Sequence, residues 1–136
     1  VLNNRSIPQT TVIPVLAYAD CTEAAAWLCR VFGFRERLRI GEHRVQLIVG
    51  DGAVVVSGGG SAKGTTGGHS IMIRVDDANA QYERAKREGA HVLNEPATYA
   101  YGERQFNVED PGGHIWTFTE SVSDVDPAEW GGEMVE

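Results

Sequence analysis

The sequence predicts an α+β protein built from two tandem βαβββ modules, and three observations in it say so. Two amphipathic helical stretches each end at a glycine. The interval from an aspartate to that glycine is thirteen residues in both, Asp20 to Gly33 and Asp76 to Gly89. The strand-like segments that follow share a register. With 136 residues, the chain has the length of one ordinary domain, able to bury a core without staples.

The first module opens on an apolar strand candidate at residues 11–19. Residues 22–32 follow, in which Ala24, Trp27, Leu28 and Val31 fall at i, i+3, i+4 and i+7 and make one helical stripe. Gly33 ends it, and Asp20 with Glu23 three residues later has the spacing of a capping box. Arg35, Arg37 and Arg39 alternate with Phe34, Glu36, Leu38 and Ile40, so alternation puts three guanidiniums on one face of a strand. On an inner face they would hold an anion bidentately; on an exposed edge they block strand pairing. Residues 45–49, a turn and residues 53–57 then read as a hairpin.

The second module repeats this order. Residues 70–75 form the strand, and residues 78–88 the helix, with the stripe Ala78, Tyr82, Ala85 and a terminating Gly89. Residues 45–52 align with 104–111, sharing Gln, an apolar residue, Val and Asp in register, and residues 114–120 close the second hairpin. Module one spans about residues 10–57 and module two about 69–121. Between them residues 58–68 carry six of the sixteen glycines, the composition of a flexible linker.

Composition narrows the function classes. Twelve Lys plus Arg against nineteen Asp plus Glu give a net charge of −7, and no cationic run appears; nucleic-acid binding needs clustered cations. No apolar stretch approaches the ~20 residues of a bilayer span, and no charged-then-apolar leader opens the chain, so a cytoplasmic protein without membrane contact is expected. Cys21 and Cys29 lie eight apart in one helix, about 12 Å along its axis, too far to bridge, and read as small buried hydrophobes. The acidity is local: residues 120–136 hold six acids and no Lys or Arg. Residues 122–136 are therefore read as an acidic tail, with Trp130 as its anchor on the domain or on a partner subunit.

The duplicated unit carries Tyr101-Gly102-x-Arg104 before a strand, then Asp110-Pro111-x-Gly113-His114-x-Trp116, with Val75-Asp76-Asp77 upstream. In this it resembles the glyoxalase/bleomycin-resistance/extradiol-dioxygenase superfamily, the vicinal oxygen chelate proteins, over residues 10–121. Pro111 presets φ, Gly112 and Gly113 tolerate positive φ, and Asp110 can bond its own turn. The resemblance implies that each module curls its mixed sheet into half of a cup with the helix outside. It also implies a pocket often completed across a homodimer.

Enzymes of that superfamily place four metal ligands on the inner strands, drawn from His, Gln and Glu, two per module. The matching positions here are Ile13, a strand at 53–57 without an acid, Ser70 and Thr117. Aliphatic and hydroxyl groups are poor partners for a divalent ion, so no cofactor is expected. The weak metal candidate is His69, which a one-residue bulge could turn inward, with His43, Glu103 or Glu109 beside it; His91 and His114 read as structural.

Alternation places Ser70, Met72 and Arg74, and likewise Ile115, Thr117 and Thr119, on the inner face, with Gln46, Gln105 and Asn107 as neutral hydrogen-bonding groups there. Tyr99, Tyr101 and Arg104 lie on the segment that borders the cup mouth in the resembled family, where tyrosines suit an aromatic or amphipathic ligand. Packing and turn formation account for these three equally well. The expected function is metal-independent binding of a small organic molecule by a homodimer. The alternative is a glyoxalase-like lyase or isomerase, or an extradiol-type dioxygenase, with a rearranged metal site acting as Lewis acid.

Overall fold

The computed structural model describes residues 2–59 and 69–134. Its elements are β1 (Val15–Ala17), α1 (Cys21–Phe32), β2 (Arg35–Ile40), β3 (Arg44–Val49), β4 (Gly52–Ser57), β5 (Ile71–Arg74), α2 (Ala78–Arg87), β6 (His91–Val92), β7 (Ala97–Thr98), β8 (Glu103–Glu109) and β9 (Ile115–Ser121), followed by a 3-10 turn, Pro127–Trp130. The architecture is α+β with two separate sheets, as the sequence predicts. From residue 60 onward the glycine-rich linker expected at 58–68 lies outside the described residues. The described residues form two compact units, the first holding residues 2–59 together with Pro111–Gly113, the second residues 69–110 and 114–134.

In the first unit the strand order is β1-β4-β3-β2, with β1 parallel to β4 and the other pairs antiparallel. The Asp20 carboxylate accepts from the Glu23 N–H at 3.0 Å and starts α1; Gly33, at φ +82°, ends it by donating to the Cys29 carbonyl. The buried face is Cys21, Ala25, Leu28, Val31 and Phe32, one position round from the predicted stripe. Ala24 and Trp27 fall on its half-buried border, where Trp27 sets its ring edge-on to Phe32 at 5.1 Å. Leu28 and Val31 are fully enclosed, as are Leu47 and Val56 on the sheet; burying each such side chain is worth about 1.5–3 kcal/mol. The Cys21 thiol donates to the Val56 carbonyl at 3.3 Å. Burial pushes both thiols above their ordinary range, which makes them packing groups.

A bulge in β2 overturns the three-arginine face. Register with β3 slips between Glu36 and Leu38, so Arg35 lies opposite Ile48 while Arg39 lies opposite Val45. Those partners point to opposite faces, because the extra residue Arg37 resets the alternation. Arg39 instead forks onto Glu36 at 2.7 and 2.9 Å.

In the second unit the order β5-β9-β8-β6 repeats the first, again with the leading strand parallel to its neighbour. Two details differ from the predicted repeat. Asp77, one residue beyond the Asp76 that matches Asp20 in its interval to glycine, caps α2 by accepting from the Ala80 N–H at 3.0 Å, and Glu120 takes the Ala78 N–H at 2.8 Å. The outer strand is broken into β6 and β7, both paired to β8, because Pro96 has no N–H to give a continuous ladder. Trp116, Phe106, Phe118 and Val108 are fully buried, and Tyr82 of α2 meets the Phe106 ring edge-on at 5.6 Å.

Candidate functional site

The candidate face is built on β8 and β9. Their register pairs Phe106 with Phe118 and Val108 with Trp116 on the core side, which leaves Gln105 opposite Thr119 and Asn107 opposite Thr117 on the other. Met72 and Arg74 of β5 pair with Thr117 and Thr119 and extend this face; Met72 is 62% exposed.

The polar groups on the face form two short chains. The Tyr101 hydroxyl donates to Gln105 Oε1 at 3.0 Å, Gln105 Nε2 to Thr119 Oγ1 at 3.0 Å, and Thr119 to the Glu103 carboxylate at 2.6 Å. Donors pointing one way into a carboxylate reinforce each other, and hydrogen bonds from Ser121 and Thr119 hold Glu103 below the usual carboxylate range. In the second chain Thr117 donates to Asn107 Oδ1 at 2.6 Å, while Asn94 Oδ1 accepts from both the Asn107 side chain and its backbone N–H at 3.0 Å. Each amide nitrogen carries two N–H groups and spends one in these bonds.

An aromatic cluster stands at one end. Gly102, at φ +86°, donates to the Tyr99 carbonyl while Tyr99 donates to that of Glu103, and this turn stacks Tyr99 on Tyr101 at 5.5 Å and 3°. The Gly102 carbonyl receives the Val122 N–H at 2.9 Å. A Cβ at Gly102 would collide with the Ser123 carbonyl, so only glycine lets the following chain pass. That chain brings Trp130 to 5.3 Å from Tyr101; Tyr99 and Trp130 stay 41% and 49% exposed. A shallow, open groove lined by Tyr101, Glu103 and residues 121–125 lies next to Tyr101.

Asp110 supports the face from below. Its Oδ1 accepts from the His114 N–H and its Oδ2 from Trp116 Nε1, both at 2.9 Å. It bonds its own turn as predicted, and the indole bond six residues on is an addition that spacing does not reveal. Within that turn only Gly113 takes a positive φ, +85°.

The structure thus brings together Met72, Tyr101, Gln105, Asn107 and Thr117, with Tyr99 against Tyr101. Ser70 lies exposed just before β5. Arg104 stands apart: it shares the core side with Glu120 and bonds Asn79 Oδ1 and Thr98 Oγ1 at 3.0 and 3.1 Å, tying β8 to α2. Gln46 belongs to the first unit, where it is 3% exposed and bonded to Arg37 and to the Ser6 carbonyl. Strand alternation places Thr119 on this face, as the structure does. Sequence reasoning misses Asn94 and the contact of Trp130 with Tyr101, both of which depend on irregular segments.

The sequence model of the Glyoxalase/Bleomycin resistance protein/Dioxygenase superfamily matches residues 7–118. The chain belongs to this superfamily. Among solved structures, TioX from Micromonospora sp. ML1 is 34% identical, with a TM-score of 0.71 over 82% of this chain and 98% of that one. Lactoylglutathione lyase from Agrobacterium tumefaciens is similar in fold at 18% identity and a TM-score of 0.67, over 92% and 98% of the two chains. So is the fosfomycin resistance protein FosX from Listeria monocytogenes, at 14% identity and 0.69, over 84% and 94%. No curated protein matches the chain.

Against the superfamily's metal-binding pattern, the donors at the matching positions do not fit a divalent ion. Ile13 is aliphatic, β4 offers alanine, valines and a serine, Ser70 is a hydroxyl, and the Thr117 hydroxyl is spent on Asn107. His69 is exposed, its ring 5.8 Å from that of His114. Of its expected companions, Glu109 bonds His91 at 3.0 Å and Glu103 bonds Thr119, while His43 lies in the first unit. Among the described residues no three His, Cys, Asp or Glu side chains are grouped to hold a metal ion, and no helix is long and apolar enough to cross a membrane.

Proposed function

We propose that this superfamily member binds a small organic molecule with a flat aromatic surface and a neutral amide or carbonyl group, and does so without a metal ion. One observation carries the reading. A face of neutral amides and hydroxyls, Gln105, Asn107 and Thr117, ends in the partly exposed cluster Tyr99, Tyr101 and Trp130. Stacking on such rings supplies affinity, and the second N–H of each amide supplies orientation. The Lewis-acid reading has no comparable support, since Thr117 binds Asn107 where the superfamily's pattern calls for a ligand.

Affinity of the EDTA-treated full chain for indole-3-carboxamide, a probe with both features, tests this. Expected is saturable binding that Tyr101→Ala and Asn107→Ala each weaken by about tenfold, a typical loss for one stacking or hydrogen-bonding partner. Binding that appears only after Zn, Ni, Mn or Fe is added would contradict it and favour the lyase or dioxygenase alternative. A homodimer in the cytoplasm remains part of the proposal, to be read from sedimentation and from localisation of the tagged protein.

A further inference from the structure

The first unit carries polar groups that the proposed function does not use. Gln46 is aligned with Gln105, yet its neighbours differ. Its partner across β4 is Val55, which has no hydroxyl to play the part of Thr119. The amide turns instead to Arg37, the bulged residue of β2, whose Nη1 donates to Gln46 Oε1 at 2.6 Å. The two side chains then present one donor each away from the sheet. Arg37 Nη2 donates to the Arg5 carbonyl at 2.9 Å, and Gln46 Nε2 donates to the Ser6 carbonyl at 2.8 Å.

What sits on these donors is a stretch of chain that is no part of the sheet. Residues 2–14 contain no strand. A turn in which Asn4 Oδ1 accepts from the Ser6 N–H and the Asn4 carbonyl from that of Ile7 aims two consecutive carbonyls at the pair. Pro8 is buried just beyond. Both bonds go to main-chain atoms, so the pair reads the spacing of adjacent amides and not the side chains of residues 5 and 6.

We propose that Arg37 and Gln46 form a second binding site, a two-donor clamp for consecutive main-chain carbonyls of a peptide, which the chain's own residues 5–8 occupy as a tethered stand-in. The bulge releases Arg37 from the ladder, and its charge strengthens both the bond to Gln46 and the bond to the carbonyl. A tethered occupant competes at an effective concentration of about millimolar, so a free peptide enters only when the segment lifts. The site stands on the first unit alone, and its failure would leave the reading of the second unit's face untouched.

The test uses the full chain and, as probe, an N-acetylated peptide of residues 2–10. Pro8→Asp places a charge where the segment must be buried and lifts it without altering the clamp. Expected is peptide binding to Pro8→Asp at least tenfold tighter than to the unaltered protein, abolished when Arg37→Ala or Gln46→Ala is added. Tryptic cleavage of the Arg5–Ser6 bond gives a second readout: it should be at least tenfold faster in Pro8→Asp, and faster also in Arg37→Ala alone, since cleavage follows the open population. Cleavage as slow in both variants as in the unaltered chain would overturn the proposal. So would peptide binding that survives loss of both Arg37 and Gln46.

Discussion

The two sheets share strand order and the parallel pairing of the first strand with the last, but the faces turned away from their helices are used differently. In the first unit that face holds Gln46 beside Val55, and the amide is sealed by Arg37 and the N-terminal segment. In the second it holds Gln105 beside Thr119 and Asn107 beside Thr117, joined in chains that end at Tyr101, Glu103 and Asn94. The repeat copies backbone and core. It does not copy the chemistry, because one Val-for-Thr difference across a strand pair decides where a glutamine amide must find its partner.

Aligned residues make this comparison measurable, and the largest contrast lies in the turns. Asp110 is buried and holds the His114 N–H and the Trp116 indole, whereas its counterpart Asp51 is exposed in the turn between β3 and β4. Removing Asp110 strands two buried donors, at 1–3 kcal/mol each by the usual cost. Asp110→Ala should therefore lower unfolding stability in urea by about 3 kcal/mol, and Asp51→Ala by less than about 0.5 kcal/mol. Equal losses would mean that the two hairpin turns are equivalent after all.

The glutamines come next. Gln46→Ala leaves a charged donor without its acceptor in a covered place, and a loss of about 2 kcal/mol is expected. Gln105→Ala breaks two neutral bonds on a half-buried face, at about 1 kcal/mol. Thermal or urea unfolding of both variants decides the order, and a larger loss at Gln105 would reverse the assignment of the sealed face.

The smallest effect is on pH dependence. Hydrogen bonds from Ser121 and Thr119 lower the Glu103 pKa. Its ionised form thus contributes stability that is fully present above the ordinary carboxylate value of about 4.3 and is lost as pH falls through the depressed folded value. Glu103→Gln should flatten that acid limb in urea midpoints measured between about pH 2 and pH 6. An unchanged slope would show that the hydroxyls do not select the carboxylate form.

Helices and hairpins are legible in the sequence because periodicity, a capping aspartate and a terminating glycine agree over ten or more residues. The inner face of the second sheet is legible for the same reason: Gln105, Asn107 and Thr117 follow from strict alternation. Alternation fails at Arg37, where one extra residue moves Arg39 to the other side of the sheet, and no composition signal marks that bulge. It also separates Arg104 from its neighbours, since adjacent strand residues point to opposite faces. The choice between Asp76 and Asp77 as cap turns on one residue of register, and Asn94 and Trp130 arrive on irregular segments whose path no periodic pattern describes.

The most direct test of metal-free recognition is a ¹H–¹⁵N titration of the EDTA-treated full chain with indole-3-carboxamide, following side-chain amides and indole N–H groups. The face described above predicts saturable shifts at Gln105, Asn107 and the Trp130 indole, unchanged when zinc is added, with Gln46 still. Shifts that require the added ion, or that fall on Gln46 and spare Gln105 and Asn107, would contradict it.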